Sequence, residues 1–514
     1  MSEGFVCTKL EQLNTKKAIG VDKLNNRLLK AAATVIAKPL TKIFNHSLNT
    51  GIFPSDFKIG KITALHKSGD RSDISNYRPI SVLPALSKIL EKAVHEQVYK
   101  HMSTNNYLSD HQSGFRPKRS TDTALTWYTD KIYRNMGDKK VTVSVYLDLA
   151  KAFDTVNHEM LLLKLKSYGI TGTAHDWFSS YLSNRKQQVC VNGQLSSPST
   201  VTMGVPQGSI LGPLAFIILI NDLPSAIKHS EVHMYADDTV IFLGSDKPDD
   251  ISKRLSSDLN AINDWFTKNH LSLNVSKTKF MIYGTNALKK RFSNLRLDVG
   301  GELIERVHNF KYLGVIFDEN LTWDNHIEYV HSKASSRLYL FKRLRHHLDK
   351  DQAMIVFSAL VQSVMDYADT VWSSCSAKSQ NLLQKLQNKG LRSIHNIPDS
   401  LARFHSISDL LHQTGWTDLA TRRQARLCVL TYKTISGDLP SYMSDMILPA
   451  TTSAYSTRST LRRSLHVPRT LNRTGDLAFS VVAPNLCNSF DHELFNAASL
   501  RNFKTLLQDY LKKN

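Results

Sequence analysis

Cysteine is scarce in this sequence, and the few cysteines present argue against two kinds of fold. Only five occur among 514 residues, and no two of them form a CxxC pair. A zinc finger or zinc knuckle therefore has no ligand set here. The odd, dispersed count does not suggest a disulfide framework and favours a reducing compartment. We expect no bound zinc and a protein of the nucleus or cytoplasm.

Long hydrophobic runs are also missing. The longest apolar run near the middle of the chain, Leu214–Ile220, is far shorter than the roughly 20 residues that a membrane span requires. Residues 1–10 lack the apolar core of a signal peptide. We expect a protein that is not secreted and has no membrane partner.

Acidic residues are outnumbered by basic ones. Lys and Arg total 65 against 45 Asp and Glu, which gives a net charge of +20 at pH 7. This excess favours a polyanionic partner, most simply nucleic acid, because phosphates that a protein neutralises release their counterions. An acidic membrane surface is the competing interpretation. A hydrophobic content of 41% and a charged content of 21% are typical of globular chains rather than disordered ones.

The spacing of apolar residues divides the chain into regions. It predicts an N-terminal helical extension over 1–47, which Gly51 and Pro54 then interrupt. Residues 48–318 mix short β-branched strands with amphipathic helices, which predicts an α+β fold. Beyond Asp318 strands nearly vanish, so we predict a helical region over 319–350 and a mostly helical C-terminal region over 351–514. In detail, the pattern predicts helices over 326–347, 351–366, 379–395, 417–436 and 497–512, with a loop over 450–475.

Three aspartates stand where strand-like segments end. Val141–Leu147 is strand-like and is followed by Asp148, while Asp237 and Asp238 lie at the tip of a β-hairpin pattern. Adjacent acids between apolar strands are costly unless a cation neutralises them. Hard oxygen ligands suit Mg²⁺, and three converging carboxylates can bridge two metal ions. The alternative is a solvated hairpin turn and a strand-end cap.

The surrounding residues resemble a known family. Tyr235-Ala-Asp-Asp238 resembles the YxDD box of reverse transcriptases, and Tyr146-Leu-Asp-Leu-Ala-Lys-Ala-Phe-Asp-Thr-Val156 resembles the first catalytic motif of LINE-type (non-LTR) retrotransposon enzymes of the jockey-like and chicken-repeat groups. The resemblance implies a right-hand polymerase with fingers and palm in 48–318 and a thumb in 319–350. It implies an RNA-directed DNA polymerase that uses two Mg²⁺ ions, or Mn²⁺. Its partners would be an RNA template, a DNA primer, the RNA–DNA hybrid and dNTPs.

The resemblance also assigns nucleotide contacts. Lys67 and Arg78 match basic finger positions that clamp the triphosphate. Gln207 and Gly208 match a Pro-Gln-Gly stretch along the incoming nucleotide, and the glycines there allow close backbone approach. Phe153 matches a bulky gate that excludes a ribose 2′-hydroxyl, although core packing is the alternative for this side chain.

Further positions would contact the primer, template or pyrophosphate. Lys277 is the first candidate for a general acid near the pyrophosphate, with Lys279 second. The basic, Gly/Pro-broken loop around residues 113–121 suits backbone contact with a template strand. Its candidates for phosphate contact are Arg116, Lys118 and Arg119. In the strand-pair pattern at residues 310–317, Tyr312 and Gly314 match the primer-grip region.

Two alternatives remain open at this point. One is a catalytically silent nucleic-acid-binding remnant of such an element, although all three aspartates, Gln207, Gly208 and Phe153 are present. The other, an RNA-directed RNA polymerase, is disfavoured by Phe153 and by the YADD box. No endonuclease sequence precedes the motifs and no ribonuclease H acidic set follows them. We therefore expect a chain that extends a supplied primer and does not nick DNA.

Overall fold

The computed structural model describes residues 1–448, 465–490 and 492–513. It has the α+β character that the sequence predicts, with two five-stranded sheets, two strand pairs and many helices. Among the helices of these residues, none is both long and apolar enough to cross a membrane.

Fourteen strands occur in the described residues. They are β1 (Ile59–His66), β2 (Tyr77–Val82), β3 (Val141–Leu147), β4 (Arg185–Val191), β5 (Gln194–Leu195), β6 (Ser199–Val201), β7 (Glu231–Tyr235), β8 (Asp238–Ser245), β9 (Lys279–Tyr283), β10 (Asp298–Val299), β11 (Glu302–Leu303), β12 (Glu305–Arg306), β13 (Asn309–Tyr312) and β14 (Val315–Asp318).

The α-helices follow the same chain order. They are α1 (Glu3–Glu11), α2 (Asn26–Ala31), α3 (Ala33–Thr50), α4 (Ala85–Thr104), α5 (Thr121–Gly137), α6 (His158–Ser167), α7 (Gly172–Leu182), α8 (Leu211–Leu219), α9 (Pro248–Lys268), α10 (Asn286–Arg291), α11 (Asp324–Leu344), α12 (Lys350–Phe357), α13 (Ser363–Met365), α14 (Ala377–Ile394), α15 (Ile407–Thr414), α16 (Leu419–Ile435) and α17 (Ser441–Ser444), followed by Phe479–Ser489, His492–Phe495 and Leu500–Lys513. A π-helical stretch, Ser358–Gln362, joins α12 to α13.

The central sheet has the strand order β12-β9-β3-β8-β7. β3 lies in its middle, and every residue of β3 is buried. Successive side chains of a strand point to opposite faces. Val143 and Val145 accordingly lie in the core that contains α8 and α9, while Tyr146 lies in a second core with α5 and the C-terminal helices. Burial on both faces explains why this strand has no charged residue.

The first three helices pack onto the same core as the central sheet. Val6, Leu10 and Phe44 are fully buried there. α3 ends where the sequence predicts a break, since Gly51 follows it in the left-handed conformation. A non-glycine residue would be strained at that φ.

The helices predicted beyond Asp318 are all present, with ends shifted by a few residues. Most of the loop predicted over 450–475 lies outside the described residues. The C-terminal region also contacts α5 directly. The backbone N–H of Ser480 donates to the buried Asp130 carboxylate at 2.7 Å, and the Asn472 amide donates to the carbonyl oxygen of Met136 at 2.9 Å.

The start of α8 does not follow the usual position of proline. Proline is common at the first position of a helix, yet α8 begins two residues before Pro213, at Leu211. The cause is a distant side chain. The fully buried Glu91 carboxylate accepts hydrogen bonds from the N–H groups of Ile210 (2.8 Å) and Leu211 (3.2 Å). An acid at a helix N-terminus satisfies otherwise unpaired donors, so the helix extends toward it.

Candidate active site

The strands bring the three predicted aspartates to one end of the central sheet. β3 and β8 are antiparallel, and their pairing ends with Leu147 opposite Thr239. The same register carried one residue further sets Asp148 opposite Asp238. Directly opposite residues of an antiparallel pair have Cα atoms about 4.5 to 5.5 Å apart. Asp237 lies in the tight turn between β7 and β8, where Tyr235 pairs with Asp238.

The carboxyl groups perturb one another's ionisation. Solvent reaches the Asp238 side chain, yet protein atoms crowd its carboxyl group and remove part of its hydration. This desolvation, followed by the charges of Asp237 and Asp148, raises the pKa of Asp238 to about 6. Desolvation also raises the pKa of Asp148, and the charge of Asp237 adds to the rise. Three acids this close are a site of unbalanced negative charge.

The donor set fits a hard divalent cation only in part. Carboxylate oxygens are the ligands that Mg²⁺ takes from proteins. Among the described residues, however, no group of three or more His, Cys, Asp or Glu side chains is arranged to hold a metal ion by itself. Mg²⁺ commonly keeps several waters and is held by one or two carboxylates together with substrate phosphates. These aspartates fit that mode of binding rather than a closed protein cage.

Two cations from another sheet face the aspartates. Lys67 follows β1, and its backbone N–H donates to the carbonyl oxygen of Asn76 at 2.8 Å, which extends the β1–β2 hairpin. Arg78 lies in β2 opposite Leu65. Both side chains are exposed. Their charges counteract the rise in the pKa of Asp238, so they lie within electrostatic reach of the acidic end of the central sheet.

Lys277 and Lys279 have different surroundings. The segment before β9 lies against the end of β3, where the backbone N–H of Asn274 donates to the carbonyl oxygen of Asp148 at 2.8 Å. Lys277 is exposed, and its charge is the main influence that opposes the rise in the pKa of Asp148. Lys279 instead forms an ion pair with Glu305 at 2.6 Å. Of the two, Lys277 is the lysine near the aspartates.

Gln207 is held by an acid that the sequence analysis did not single out. Its amide nitrogen donates to both oxygens of the Asp154 carboxylate at 2.8 and 2.9 Å, which leaves the amide oxygen for a ligand. Its backbone carbonyl accepts from the N–H of Ser81 in β2 at 2.7 Å. Gly208 has a φ of 125°, and a Cβ there would lie 2.5 Å from the Ser81 carbonyl oxygen. Gln207 and Asp154 border a cleft of about 370 Å³.

Phe153 is half-buried. Its ring centroid lies 4.8 Å from that of Phe216 and 6.3 Å from that of Phe115. Its carbonyl oxygen accepts from the N–H of Val205 at 2.8 Å. The ring therefore packs against the core, and part of it remains accessible to solvent. Packing and a gating role are compatible at this position.

Comparison with known proteins agrees with this arrangement. Residues 65–317 match the family model described as reverse transcriptase (RNA-dependent DNA polymerase). The chain therefore contains a reverse transcriptase domain, and it is similar to the polymerases of LINE-type, non-LTR elements. It is 30% identical over 400 residues to the RNA-directed DNA polymerase from mobile element jockey of Drosophila funebris, covering 76% of this chain and 43% of that protein.

Two Drosophila melanogaster proteins are similar as well. The probable RNA-directed DNA polymerase from transposon BS is 29% identical over 409 residues, covering 76% of this chain and 44% of the relative. The corresponding protein from transposon X-element is 27% identical over 389 residues, covering 74% and 42%. The chain thus spans less than half the length of these curated relatives.

In the basic loop before α5, the guanidinium groups of the two arginines bond to the loop itself. Arg116 donates to the carbonyl oxygen of Ser109 at 2.5 Å. Arg119 donates to the Asp110 carbonyl oxygen at 2.5 Å and pairs with the Asp110 carboxylate at 2.6 Å. Lys118 is exposed, with a φ of 64°. Contact with a template phosphate stays a prediction for all three, and the two arginines also bond to their own loop.

The predicted primer-grip residues lie in the β13–β14 hairpin. Tyr312 is buried, with its hydroxyl 3.5 Å from Nδ1 of His233, so only its backbone is open to a primer. Gly314 is exposed in the turn with a φ of 84°. Beside it, the Tyr367 hydroxyl donates to the Leu313 carbonyl oxygen at 2.7 Å. The C-terminal region therefore supports this turn.

Sequence reasoning missed three side-chain acceptors that hold segments around the site. Asp154 carried a hint in the sequence, because this second acid directly follows the aromatic residue of the Lys151-Ala-Phe-Asp154 motif. Glu91 and Gln112 carried none, because each is a single polar residue whose buried partners lie more than 100 residues away.

Proposed function

We propose that this chain is an RNA-directed DNA polymerase that extends a primer 3′-hydroxyl with deoxynucleotides on an RNA template, as part of a non-LTR retrotransposon. The match of residues 65–317 to the reverse transcriptase family model supports the reaction class. The observation that carries the proposal is the pairing of β3 with β8, which ends with Leu147 opposite Thr239, next to the turn between β7 and β8 that holds Asp237 and Asp238.

The proposed division of the chain follows the right-hand polymerases. Residues 48–318 would be fingers and palm, with the β1–β2 hairpin in the fingers and the central sheet in the palm. Residues 319–350, which include the basic end of α11, would form the thumb. Residues 1–47 would be a helical extension and 351–514 a helical C-terminal region.

Asp148, Asp237 and Asp238 would hold two Mg²⁺ ions, with Mn²⁺ as a substitute. Such ions, when bound, would lower the pKa of the primer 3′-hydroxyl and stabilise the negative charge of the leaving pyrophosphate. The chain's own groups do the remaining work. Lys67 and Arg78 would bind the triphosphate, and Lys277 would donate a proton to the pyrophosphate.

The other side chains would select and orient the nucleotide. Phe153 would exclude a ribose 2′-hydroxyl, so that deoxynucleotides are preferred. Gln207, with its amide nitrogen bound to Asp154, would offer its amide oxygen, and Gly208 its backbone, to the incoming nucleotide. The primer end would lie along the backbone of Tyr312 and Gly314.

Primer extension on poly(rA)/oligo(dT) with Mg²⁺ or Mn²⁺ tests the proposal. We expect incorporation of labelled dTTP by the wild-type chain and a loss of about 10³-fold in Asp237→Ala, since metal-held charge supplies several kcal/mol to such reactions. The matched control is Asp246→Ala, an exposed acid just beyond the other end of β8, which should retain activity.

Two results would contradict the proposal in different ways. Incorporation that survives Asp237→Ala would overturn the metal assignment. A folded wild-type chain that binds template–primer but incorporates nothing would instead be a catalytically silent remnant.

A further inference from the structure

The turn that carries Asp237 and Asp238 is held by a residue from a distant loop. We propose that Gln112 is a positioning residue of the polymerase reaction, which fixes the backbone of Ala236 and thereby places the two acids. This inference rests on the proposed function, because it concerns the same aspartates.

Ala236 needs such support. It lies in the two-residue turn between β7 and β8 with a φ of 58°, in the left-handed region that L-residues other than glycine, asparagine and aspartate rarely adopt. A strained backbone conformation persists only when surrounding contacts fix it. The residue is buried, so its backbone N–H cannot find water as a substitute partner.

Gln112 supplies the contact. Its side-chain oxygen accepts from the N–H of Ala236 at 2.9 Å and from the N–H of Gly114 at 2.7 Å. The residue is completely buried. Its amide nitrogen has no hydrogen-bond partner among the described residues. The structure therefore uses Gln112 as an acceptor, and an acceptor of the same length could replace it.

The loop around Gln112 is fitted to the turn. The N–H of Ser113 donates to the Met234 carbonyl oxygen at 2.8 Å, and the N–H of Met234 donates to the carbonyl oxygen of His111 at 2.9 Å. A Cβ on Gly114 would lie 2.3 Å from the nitrogen of Ala236, so only glycine fits there.

The predicted basic residues hold the loop itself. Arg116 and Arg119 donate to the backbone carbonyl oxygen of Gln112 at 3.3 and 3.2 Å. The two arginines therefore reach the catalytic turn through Gln112. Two positive charges this near would also tolerate a carboxylate in place of the Gln112 amide.

Loss of the acceptor should displace the acids without unfolding the chain. The N–H of Ala236 would lose its buried partner, and the turn would relax away from φ 58°. A displacement of about 1 Å at reacting groups can cost about 10²-fold in rate. Template–primer binding involves a larger surface and should change little.

The experiment compares Gln112→Met, which removes the acceptor at similar length, with Gln112→Glu, which keeps it. Gln112→Met should lower kcat by about 10- to 100-fold and raise the Mg²⁺ concentration for half-maximal rate several-fold. The KM for template–primer should stay within about twofold. Gln112→Glu should restore most of kcat and of the Mg²⁺ response. The matched control is Gln387→Met, a buried glutamine of the C-terminal region that donates to the Thr417 carbonyl oxygen at 3.0 Å.

A second readout does not need turnover. Electron paramagnetic resonance measures Mn²⁺ binding in the presence of dNTP and a template–primer that ends in a 3′-deoxynucleotide. The affinity for Mn²⁺ should weaken several-fold in Gln112→Met only. Equal kcat and Mn²⁺ affinity in Gln112→Met and wild type would overturn the inference. So would a similar loss in Gln112→Glu, or a similar loss of Mn²⁺ affinity in Gln387→Met, because either indicates a general folding defect. A wild-type chain that binds Mn²⁺ but incorporates nothing would count against the proposed function alone. A wild-type chain that binds no Mn²⁺ overturns both.

Discussion

Two basic segments of this chain look alike in sequence and differ in structure. In the β1–β2 hairpin, Lys67 and Arg78 are exposed, and their charges act on Asp238. In the loop before α5, Arg116 and Arg119 donate to carbonyl oxygens of their own loop. A cation near an active site is therefore a phosphate-binding candidate only if its donors are not already used. The first pair is suited to bind a ligand, whereas the second pair is suited to stabilise the loop.

The largest effect should come from the hairpin. Arg78→Ala should lower kcat/KM for dNTP by about 10- to 100-fold, because a charge-assisted hydrogen bond contributes about 1.5 to 3 kcal/mol. The midpoint of thermal unfolding should stay unchanged, since the side chain is exposed. Steady-state incorporation at varied dTTP concentration measures kcat/KM, and thermal denaturation measures the unfolding midpoint. Arg71→Ala, an exposed arginine between the same strands, is the control. An equal loss in both variants would remove the distinction that we draw for Arg78.

An intermediate effect, on stability rather than on catalysis, should come from the loop before α5. Arg119→Ala removes the ion pair with Asp110, the bonds to carbonyl oxygens and a contact 5.4 Å from the Tyr442 ring centre. We expect the free energy of unfolding to fall by about 2 kcal/mol, measured by urea denaturation. The slope of log K for template–primer against log salt should be unchanged. A slope reduced by about one with full stability would instead indicate a phosphate contact.

The smallest effect should come from Lys118. It is the exposed cation of the same loop, so it is the member that can still reach a template phosphate. Lys118→Ala should weaken template–primer binding by about two- to threefold and reduce the salt slope by about one. Fluorescence anisotropy over a range of salt concentrations measures both. An unchanged slope would leave the whole loop with a structural role.

The sequence predicts local features of this molecule well. The strand Val141–Leu147, the hairpin strand Glu231–Tyr235 and the strand pair around residues 310–317 follow from short apolar runs between turn residues. The helices after Asp318 follow from apolar spacing. These features depend on residues that are neighbours in the chain, so they can be predicted from the sequence directly. Family resemblance added the proposed roles of Phe153 and Gln207, which the residues alone leave open.

Features that depend on distant partners could not be predicted. The start of α8 is set by Glu91, which lies 119 residues before Ile210. The turn at Ala236 is held by Gln112, 124 residues earlier. The role of Arg119 depends on carbonyl oxygens that its loop presents only when folded. In each case the missing information is which buried donor bonds to which acceptor. The spacing of apolar residues along the sequence does not reveal these pairs.

The loop that holds the catalytic turn also covers an open strand. β7 is the outermost strand of the central sheet, and its outer side pairs with residues 111–113 rather than with another strand. Uncovered outer strands invite pairing with a second chain and hence aggregation. A substitution that disrupts this loop would therefore lower solubility as well as displace the aspartates. A loss of activity in such a variant indicates displaced aspartates only if the protein remains monodisperse.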